Sequence, residues 1–371
     1  MRLFLIAGEP SGDRLGAALM AGLRQLVPDV TFEGVGGPLM QAQGLASLFP
    51  MEELSIFGIA EVLPKYFHLK RRIRQTAEAA LARAPAAVIT IDSPDFCLRV
   101  AAIVKAARPD LRTIHYVAPS VWAWRPGRAA KMARVIDHVL ALLPFEPPYM
   151  TAAGMSCDFV GHPVVTEALA TPEETSLMAG EGPLILTLPG SRKGEVSRLA
   201  PVIGQVLAQV KAVHPKARVV LPTVRGVADL VRDLTADWPI TPQIIQDPAL
   251  KRAAFAAADV AIAASGTVSL ELAANACPMV IAYDMHPVSL WLMRRAAQID
   301  TVTLVNLVSD TRAVPEFIGE RCRADLIAPE VLRLLADGGA QAEAMRITMQ
   351  RLGAGGEPPG LRAAKSVLSV L

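Results

Sequence analysis

The turn around Arg192 combines the groups that are needed to bind phosphate. It follows the apolar run 184–188, reads Pro-Gly-Ser-Arg, and leads into a segment predicted to be helical. The first N–H groups of a helix are unpaired and lie at the positive end of its dipole, so they bind anions. A guanidinium can contact two phosphate oxygens at once. We therefore interpret Gly190, Ser191 and Arg192 as the binding site for the diphosphate of a sugar nucleotide. The alternative is a helix cap with a solvated arginine.

Asp92 is the candidate for proton transfer. It ends the strongly apolar run 86–92 and precedes a segment that begins as a helix. In doubly wound α/β sheets, the groups at the carboxyl ends of the strands face the ligand crevice. A carboxylate at such a position can accept a proton from an attacking hydroxyl. The alternative is that Asp92 only caps its turn, while Asp95 complements the dipole of the following helix.

A second phosphate-binding or ribose-binding turn is predicted further along the chain. Ser265, Gly266 and Thr267 follow an apolar run and present small side chains and free N–H groups. Glu271 lies one helical turn further on, where its carboxylate could accept hydrogen bonds from the two hydroxyls of a ribose. A solvated glutamate on a helix surface is the alternative.

These residues need strand–turn–helix units to position them, and both halves of the sequence contain such units. The segment 2–26 is predicted to form a strand, a turn and an amphipathic helix that Ser11 or Asp13 can cap. The segment 259–283 shows the same strand–turn–helix pattern, followed by a further strand. The run 301–307 is predicted as the last strand. We predict an α/β protein with two Rossmann-like, doubly wound domains. Their expected ranges are 1–165 and 180–345, with a linker between them and a final helix, 358–371, that could pack back on the first domain.

Composition and charge narrow the choice of partners. The chain has 371 residues, of which 52% are hydrophobic, so it can build two cores. Its net charge of +2 does not favour a nucleic-acid partner. The four cysteines are far apart and form no metal-binding pattern, which is typical of reduced thiols in a cytosolic protein. No apolar run approaches the ~18 residues of a spanning helix. We expect a cytoplasmic protein without cofactor or metal.

The segment 54–76 mixes apolar and aromatic residues with a basic run, which is typical of a helix that lies on an anionic membrane. The residues expected to touch acyl chains are Val62, Leu63, Tyr66, Phe67 and Leu69. The alternative is an ordinary surface helix with a stripe that faces the core. Trp122 and Trp124 stand beside arginines and could either line an acceptor or lipid site or form a packed corner.

In order along some 300 residues, the motifs of this chain resemble those of the bacterial lipid-A-disaccharide synthase family. Each motif alone is a weak signal, whereas the ordered set is specific. They are AGEPSGD (7–13), EGVGGPLMQAQG (33–44), MEELSIFGIAEVL (51–63), IDSPDF (91–96), HYVAPSVWAWRPGR (115–128), LPFE (143–146), FVGHP (159–163), LPGSRKGEV (188–196), ASGTVSLE (264–271), PMVIAY (278–283) and VNL (305–307).

The resemblance implies a GT-B-type glycosyltransferase, in which two Rossmann-like domains face a cleft. The first domain would bind acceptor and lipid, and the second would bind the UDP-sugar. The implied reaction is an inverting transfer of 2,3-diacylglucosamine from its UDP form to 2,3-diacylglucosamine 1-phosphate (lipid X). It gives the β-1,6 lipid A disaccharide 1-phosphate and UDP, in lipopolysaccharide biosynthesis. The resemblance also implies a peripheral position on the inner face of the inner membrane, and a helical tail that could pack across a homodimer.

The resemblance also assigns roles to the candidate residues. Asp92 becomes the base that takes the proton of the acceptor 6-hydroxyl. Arg192 and the helix N-termini after the two turns stabilise the leaving UDP without a metal, since the sequence contains no Asp-x-Asp motif. Glu271 holds the ribose, Asn306 contacts nucleotide or sugar, and Ser11 helps to position sugar or phosphate. Val305 departs from the family pattern, in which we expect proline before Asn306.

Two other readings remain open at this point. One is a different enzyme of the GT-B fold, such as a UDP-N-acetylglucosamine 2-epimerase or a MurG-like transferase, which would act on other substrates. The other is a non-catalytic binding protein of the periplasmic type. The lack of an export signal at the N-terminus of the sequence argues against that binding protein.

Overall fold

Two parallel β-sheets, each with helices packed against it, make up the structure. The computed structural model describes residues 1–54, 59–123, 127–286, 290–291, 295 and 299–371, and the side chains of residues 59–65 also lie outside the description. Chain contacts divide it into two units. The first comprises Met1–Thr166 and Gly355–Leu371, and the second comprises Glu167–Ala354.

The first unit contains a seven-stranded sheet in the order β3-β2-β1-β4-β5-β6-β7. Its strands are β1 (Arg2–Ala7), β2 (Thr31–Val35), β3 (Ala46–Ser47), β4 (Ala87–Ile91), β5 (Arg112–Tyr116), β6 (His138–Ala141) and β7 (Ser156–Phe159). The helices between them are α1 (Pro10–Leu26), α2 (Pro38–Ala42), α3 (Ile59–Arg83), α4 (Pro94–Ala107), α5 (Gly127–Met132) and α6 (Pro147–Ala152). Neighbouring strands of this sheet pair in parallel, so their carboxyl ends meet at one edge.

The second unit contains a six-stranded parallel sheet in the order β10-β9-β8-β11-β12-β13. Its strands are β8 (Leu184–Leu188), β9 (Arg218–Pro222), β10 (Gln243–Ile245), β11 (Val260–Ala263), β12 (Met279–Tyr283) and β13 (Glu316–Ile318). Its helices are α7 (Pro172–Ser176), α8 (Lys193–Val213), α9 (Ala228–Thr235), α10 (Pro248–Ala257), α11 (Val268–Ala274), α12 (Leu304–Ser309), α13 (Ala324–Ala336) and α14 (Gly339–Arg351). The strand order reverses beside β8 in this unit and beside β1 in the first, as in doubly wound sheets.

The central strands are apolar throughout because helices cover both faces of a doubly wound sheet. Every residue of β4 and of β8 is buried. In β1, Leu3 and Leu5 pack with α1 on one face, while Phe4 and Ile6 pack with α3 and α4 on the other. This alternation fixes the register of the strands, because a shift by one residue would exchange the two faces.

The final helix, α15 (Pro359–Ser369), packs within the first unit. Its residues Ala363, Ala364 and Val367 join the apolar cluster of α1 and β1. The Ser366 hydroxyl lies 2.8 Å from Nε2 of the buried His138. The C-terminal segment therefore shares the core that surrounds the first strands of the chain.

Candidate active site

A cavity of about 470 Å³ opens at the carboxyl edge of the second sheet. It contains all seven residues that the sequence places in the two anion-binding and ribose-binding turns. Its lining is Leu188, Gly190, Ser191, Arg192, Glu195, Pro222, Thr223, Val224, Lys251, Ala264, Ser265, Gly266, Thr267, Val268 and Glu271. They meet because β8, β9 and β11 are neighbours in the sheet and end at the same edge.

The turn after β8 presents Arg192 to solvent. Arg192 is the N-cap of α8 and has extended backbone angles, and its side chain is 78% exposed. Gly190 has φ +107°, in the region that glycine adopts without a steric penalty. Two of the turn's N–H groups, those of Ser191 and Arg192, donate to the carboxylate of Glu195. The expected anion site therefore holds an internal carboxylate in this structure.

Glu271 lines the same cavity from α11, and it pairs with a lysine that the sequence did not single out. Its Oε2 is 2.5 Å from Nζ of Lys251. Lys251 lies on α10, with its ammonium 5.0 Å from the ring centre of Phe255. The cavity therefore offers a guanidinium, an ammonium, helix N-termini and carboxylates, a set of groups that suits a nucleoside diphosphate.

The prediction of a strand at 301–307 is wrong, because residues Leu304–Ser309 form the helix α12. Asn306 is 1% exposed within it. Its amide nitrogen donates to Thr301 Oγ1 at 3.2 Å and to the Val314 carbonyl at 2.9 Å, and its amide oxygen accepts from Val314 N at 3.0 Å. The side chain closes the loop between α12 and β13. We therefore assign Asn306 a structural role and leave it out of the site that we propose.

Backbone strain gathers at the carboxyl edge of the first sheet, where Asp92 lies. Asp92 follows β4 with φ +53°, and Ser93 follows it with φ +44°. Val117, the residue after β5, has φ +87°, which is an outlier for a β-branched side chain. Such conformations cost on the order of 1–3 kcal/mol each and cluster at functional sites. These observed outliers point to this edge as a second site of chemistry.

The turns after β1 and β4 pack against each other around Asp92. Ser11 Oγ donates to Asp92 Oδ2 at 3.4 Å, and Ser93 Oγ donates to Glu9 Oε1 at 3.4 Å. A Cβ atom on Gly8 would lie 2.8 Å from Ser93 Oγ, so a larger residue there would make the Ser93 side chain shift. Burial and then the charge of Asp92 raise the pKa of Glu9. The sequence carries no local signal for Glu9, because its contacts with Ser93 and Asp92 depend on how the side chains of the two turns pack.

Trp122 forms a packed corner, one of the two alternatives for the tryptophans. Its indole N–H donates to Glu146 Oε1 at 3.3 Å, and its ring meets Phe145 edge-on at 5.1 Å. Glu146 also accepts the N–H groups of Leu142 and Leu143, and burial raises its pKa to about 7. Trp124 lies outside the described residues.

The basic segment forms part of the helix α3. Phe67 is 81% exposed, Tyr66 is exposed beside it, and Leu69 is partly buried. The side chains of Val62 and Leu63 lie outside the described residues. Among the residues that the structure describes, no helix is long and apolar enough to cross a membrane. Within those same ranges, no three His, Cys, Asp or Glu side chains are grouped to hold a metal ion.

Sequence comparison gives a consistent relationship along the chain. A profile of the family described as lipid-A-disaccharide synthetase matches residues 3–365. The lipid-A-disaccharide synthase of Ruegeria pomeroyi is 62% identical, and the alignment covers 100% of this chain and 96% of that protein. The lipid-A-disaccharide synthase of Rhodospirillum centenum is 48% identical, over 100% of this chain and 94% of that protein.

Structural comparison finds the same architecture in distant proteins. The UDP-GlcNAc 2-epimerase of Neisseria meningitidis, solved with UDP-GlcNAc, aligns with a TM-score of 0.69 at 12% identity, over 100% of this chain and 99% of its own. MurG of Acinetobacter baumannii aligns with a TM-score of 0.57 at 14% identity, over 100% and 98% of the two chains. At such identities the likeness shows the fold alone, and it confirms the predicted GT-B class with two Rossmann-like domains.

Family membership, and not the fold, distinguishes between the enzymes that the sequence left as alternatives. An epimerase and a MurG-like transferase have the same architecture, but the profile match and the 62% and 48% identities connect the chain to a different, named activity. The chain belongs to the lipid-A-disaccharide synthetase family and is a glycosyltransferase of lipid A biosynthesis.

Proposed function

We propose that the protein transfers 2,3-diacylglucosamine from UDP-2,3-diacylglucosamine to lipid X and releases UDP. The observation that carries the proposal is the cavity of the second unit, which gathers the PGSR turn, the SGT turn and Glu271 at one sheet edge. The first unit would bind the acceptor and its lipid chains, because the strained turn with Asp92 lies there. The donor and the acceptor would thus each have their own set of residues.

UDP would lie in the cavity with its diphosphate at the N-terminus of α8 and its ribose at Glu271. The Arg192 guanidinium is exposed enough to turn towards phosphate oxygens. Lys251 would hold the Glu271 carboxylate in place, since the two side chains are already paired. These donors would stabilise the negative charge that develops as the glycosidic bond to phosphate breaks, without a metal ion.

Asp92 would act as the general base of an inverting displacement. The acceptor 6-hydroxyl oxygen attacks the anomeric carbon, the carbon–oxygen bond to the diphosphate breaks, and the hydroxyl proton passes to Asp92. Ser11, which already donates a hydrogen bond to Asp92, would hold that carboxylate or the incoming sugar in place. The product is a β-1,6-linked disaccharide 1-phosphate.

The test of this function is a direct assay with UDP-2,3-diacylglucosamine and lipid X in detergent micelles. We expect disaccharide 1-phosphate and UDP in equal amounts, at a rate that is unchanged by EDTA. UDP-N-acetylglucosamine serves as the control substrate, for which we expect neither epimerisation nor transfer. Absence of disaccharide would reject the proposed reaction, and a loss of rate in chelator that Mg²⁺ restores would reject the metal-free mechanism.

We further propose that one face of α3 attaches the protein to the inner face of the inner membrane. Phe67 projects from this face, and Lys70, Arg71 and Arg74 follow it at helical spacing around the same surface depression. An exposed aromatic ring above basic side chains fits the boundary between acyl chains and anionic headgroups. The opposite face of α3 is occupied within the unit, since Arg72 pairs with Glu53.

Removing this surface is expected to release the protein from vesicles. In the variant Phe67→Ser, Lys70→Gln, Arg71→Gln, we expect binding to anionic vesicles to fall at least about tenfold, because each basic residue near a charged surface contributes about 1 kcal/mol. Co-sedimentation with vesicles that contain phosphatidylglycerol measures it. Turnover of substrates in detergent should persist.

A matched control removes an exposed apolar residue and two charges from the second unit. Leu177→Ser, Arg323→Gln, Arg346→Gln changes residues that are all exposed and belong to the second unit, whereas α3 belongs to the first. Its vesicle binding should equal that of the unaltered protein. Equal loss in both variants would show that attachment does not depend on the α3 surface.

A further inference from the structure

Glu195 occupies the anion site that the sequence assigns to the diphosphate. Its Oε2 accepts the N–H of Ser191 at 3.2 Å and the N–H of Arg192 at 3.3 Å. Its Oε1 accepts from Nη1 of Arg192 at 2.9 Å. Two amides and the guanidinium are the donors that we expect a phosphate group to use. In this structure they donate to the Glu195 side chain instead.

The Glu195 carboxylate packs closely into the turn that it contacts. The Glu195 side chain is only 15% exposed, whereas its partner Arg192 is 78% exposed. A Cβ atom on Gly190 would lie 2.5 Å from Glu195 Oε2, so the carboxylate oxygen fills the space that the glycine leaves open. Consecutive N–H groups that converge on one oxygen form an anion-binding concavity, and a carboxylate can stand in for phosphate there.

We propose that the Glu195 carboxylate competes with phosphate groups for this site, so that any diphosphate that binds there, including that of UDP, must displace it. The inference rests on the proposed function, because it presumes that the diphosphate binds at the turn. A free phosphate or pyrophosphate would have to displace the carboxylate alone. UDP also binds through its ribose at Glu271, and this second contact raises the effective concentration of its diphosphate at the turn. Glu195 therefore raises the Kd of all phosphate ligands by the same factor, and the ribose contact lets UDP still bind where free inorganic anions, which lack that contact, bind too weakly to fill the site.

The same exchange would help to release the product. When the UDP diphosphate leaves, the Glu195 carboxylate can take back the two amides and the guanidinium within the same cavity. The site is then never left with unpaired donors, which would otherwise favour retention of the anion. A competitor of this kind raises the apparent Kd for UDP. The apparent Kd equals the intrinsic Kd divided by the fraction of molecules whose site is free.

Glu195→Gln tests the proposal. Glutamine can still accept an amide hydrogen bond at the start of α8, but it carries no charge to hold the guanidinium. If the carboxylate fills the site in about nine molecules of ten, the Kd for UDP and for pyrophosphate should both fall about tenfold. Isothermal titration calorimetry at pH 7 measures both constants. The inhibition constant for UDP as a product should fall in parallel.

Two further variants keep the result interpretable. Glu343→Gln breaks an exposed Glu–Arg pair of the same spacing outside the cavity, and it should leave both constants unchanged. Arg192→Ala should weaken UDP binding in the presence of Glu195, because it removes the exposed cation of the site. Pyrophosphate binding that is unchanged or weaker in Glu195→Gln, while Arg192→Ala still weakens UDP binding, overturns the competition and leaves Glu195 a helix cap. If Arg192→Ala leaves UDP binding unaltered, the proposed diphosphate site itself is wrong, and the inference fails with it.

Discussion

Replacing Asp92 with asparagine is expected to lower kcat by a factor of about 10² or more, while the Kd for UDP stays unchanged. The amide has the shape of the carboxylate but cannot take the proton of the acceptor hydroxyl. The backbone should tolerate the change, since Asp92 has φ +53° and asparagine adopts this left-handed region more readily than most residues. Steady-state turnover with both lipid substrates measures kcat, and calorimetry measures UDP binding to the cavity of the second unit.

Asp95→Asn is the matched control for this prediction. Asp95 is an exposed carboxylate in the first turn of α4, three residues after Asp92. Its loss should change kcat less than about twofold, because it only complements the helix dipole there. A kcat for Asp92→Asn within tenfold of the unaltered enzyme would remove Asp92 from the role of base. A matching loss in Asp95→Asn would point to a disturbed helix.

The residues that the sequence could bring together are those whose positions follow from strand order. Ser191 and Gly266 lie more than seventy positions apart, yet both come directly after apolar runs that read as parallel strands. In a doubly wound sheet such turns share one edge whatever their separation in the chain. The order of strands and turns in the sequence therefore predicts the cavity of the second unit without any knowledge of side-chain packing.

Prediction from the sequence fails where a contact depends on how helices and strands pack together. The run 301–307 has the β-branched residues of a strand, but buried hydrogen bonds from Asn306 and Thr348 hold α12 as a helix. Lys251 carries no local signal of a partner, and only the position of α10 brings it to Glu271. Propensity is a weak guide in such segments because tertiary contacts override it.

Asp13 is a further residue whose contacts the sequence does not predict, because it caps a helix other than its own. The sequence suggests that Ser11 or Asp13 caps α1, whereas the N-cap of α1 in the structure is Glu9. In the structure Asp13 Oδ1 accepts the N–H groups of Gly37 and Met40, at 3.0 Å and 2.9 Å, and Oδ2 accepts that of Leu39 at 2.9 Å. These are unpaired donors at the start of α2. The contact exists only because β1 and β2 are neighbours, which places α2 beside α1.

Asp13→Ala is therefore expected to lower the free energy of unfolding of the first unit by about 3 kcal/mol. Asp13 is buried, as are Gly37 and Met40, so two amides would lose their acceptor with little access to water. Hydrogen exchange of peptides from β1 and β2, followed by mass spectrometry, measures the loss in the unit concerned. Asp29→Ala, an exposed aspartate in the loop after α1, should change exchange by less than about 0.5 kcal/mol. Because each unit has its own sheet and core, exchange in β8 and β11 should stay unaltered, and equal loss in both units would show that Asp13 acts on the whole chain instead of on the α2 cap.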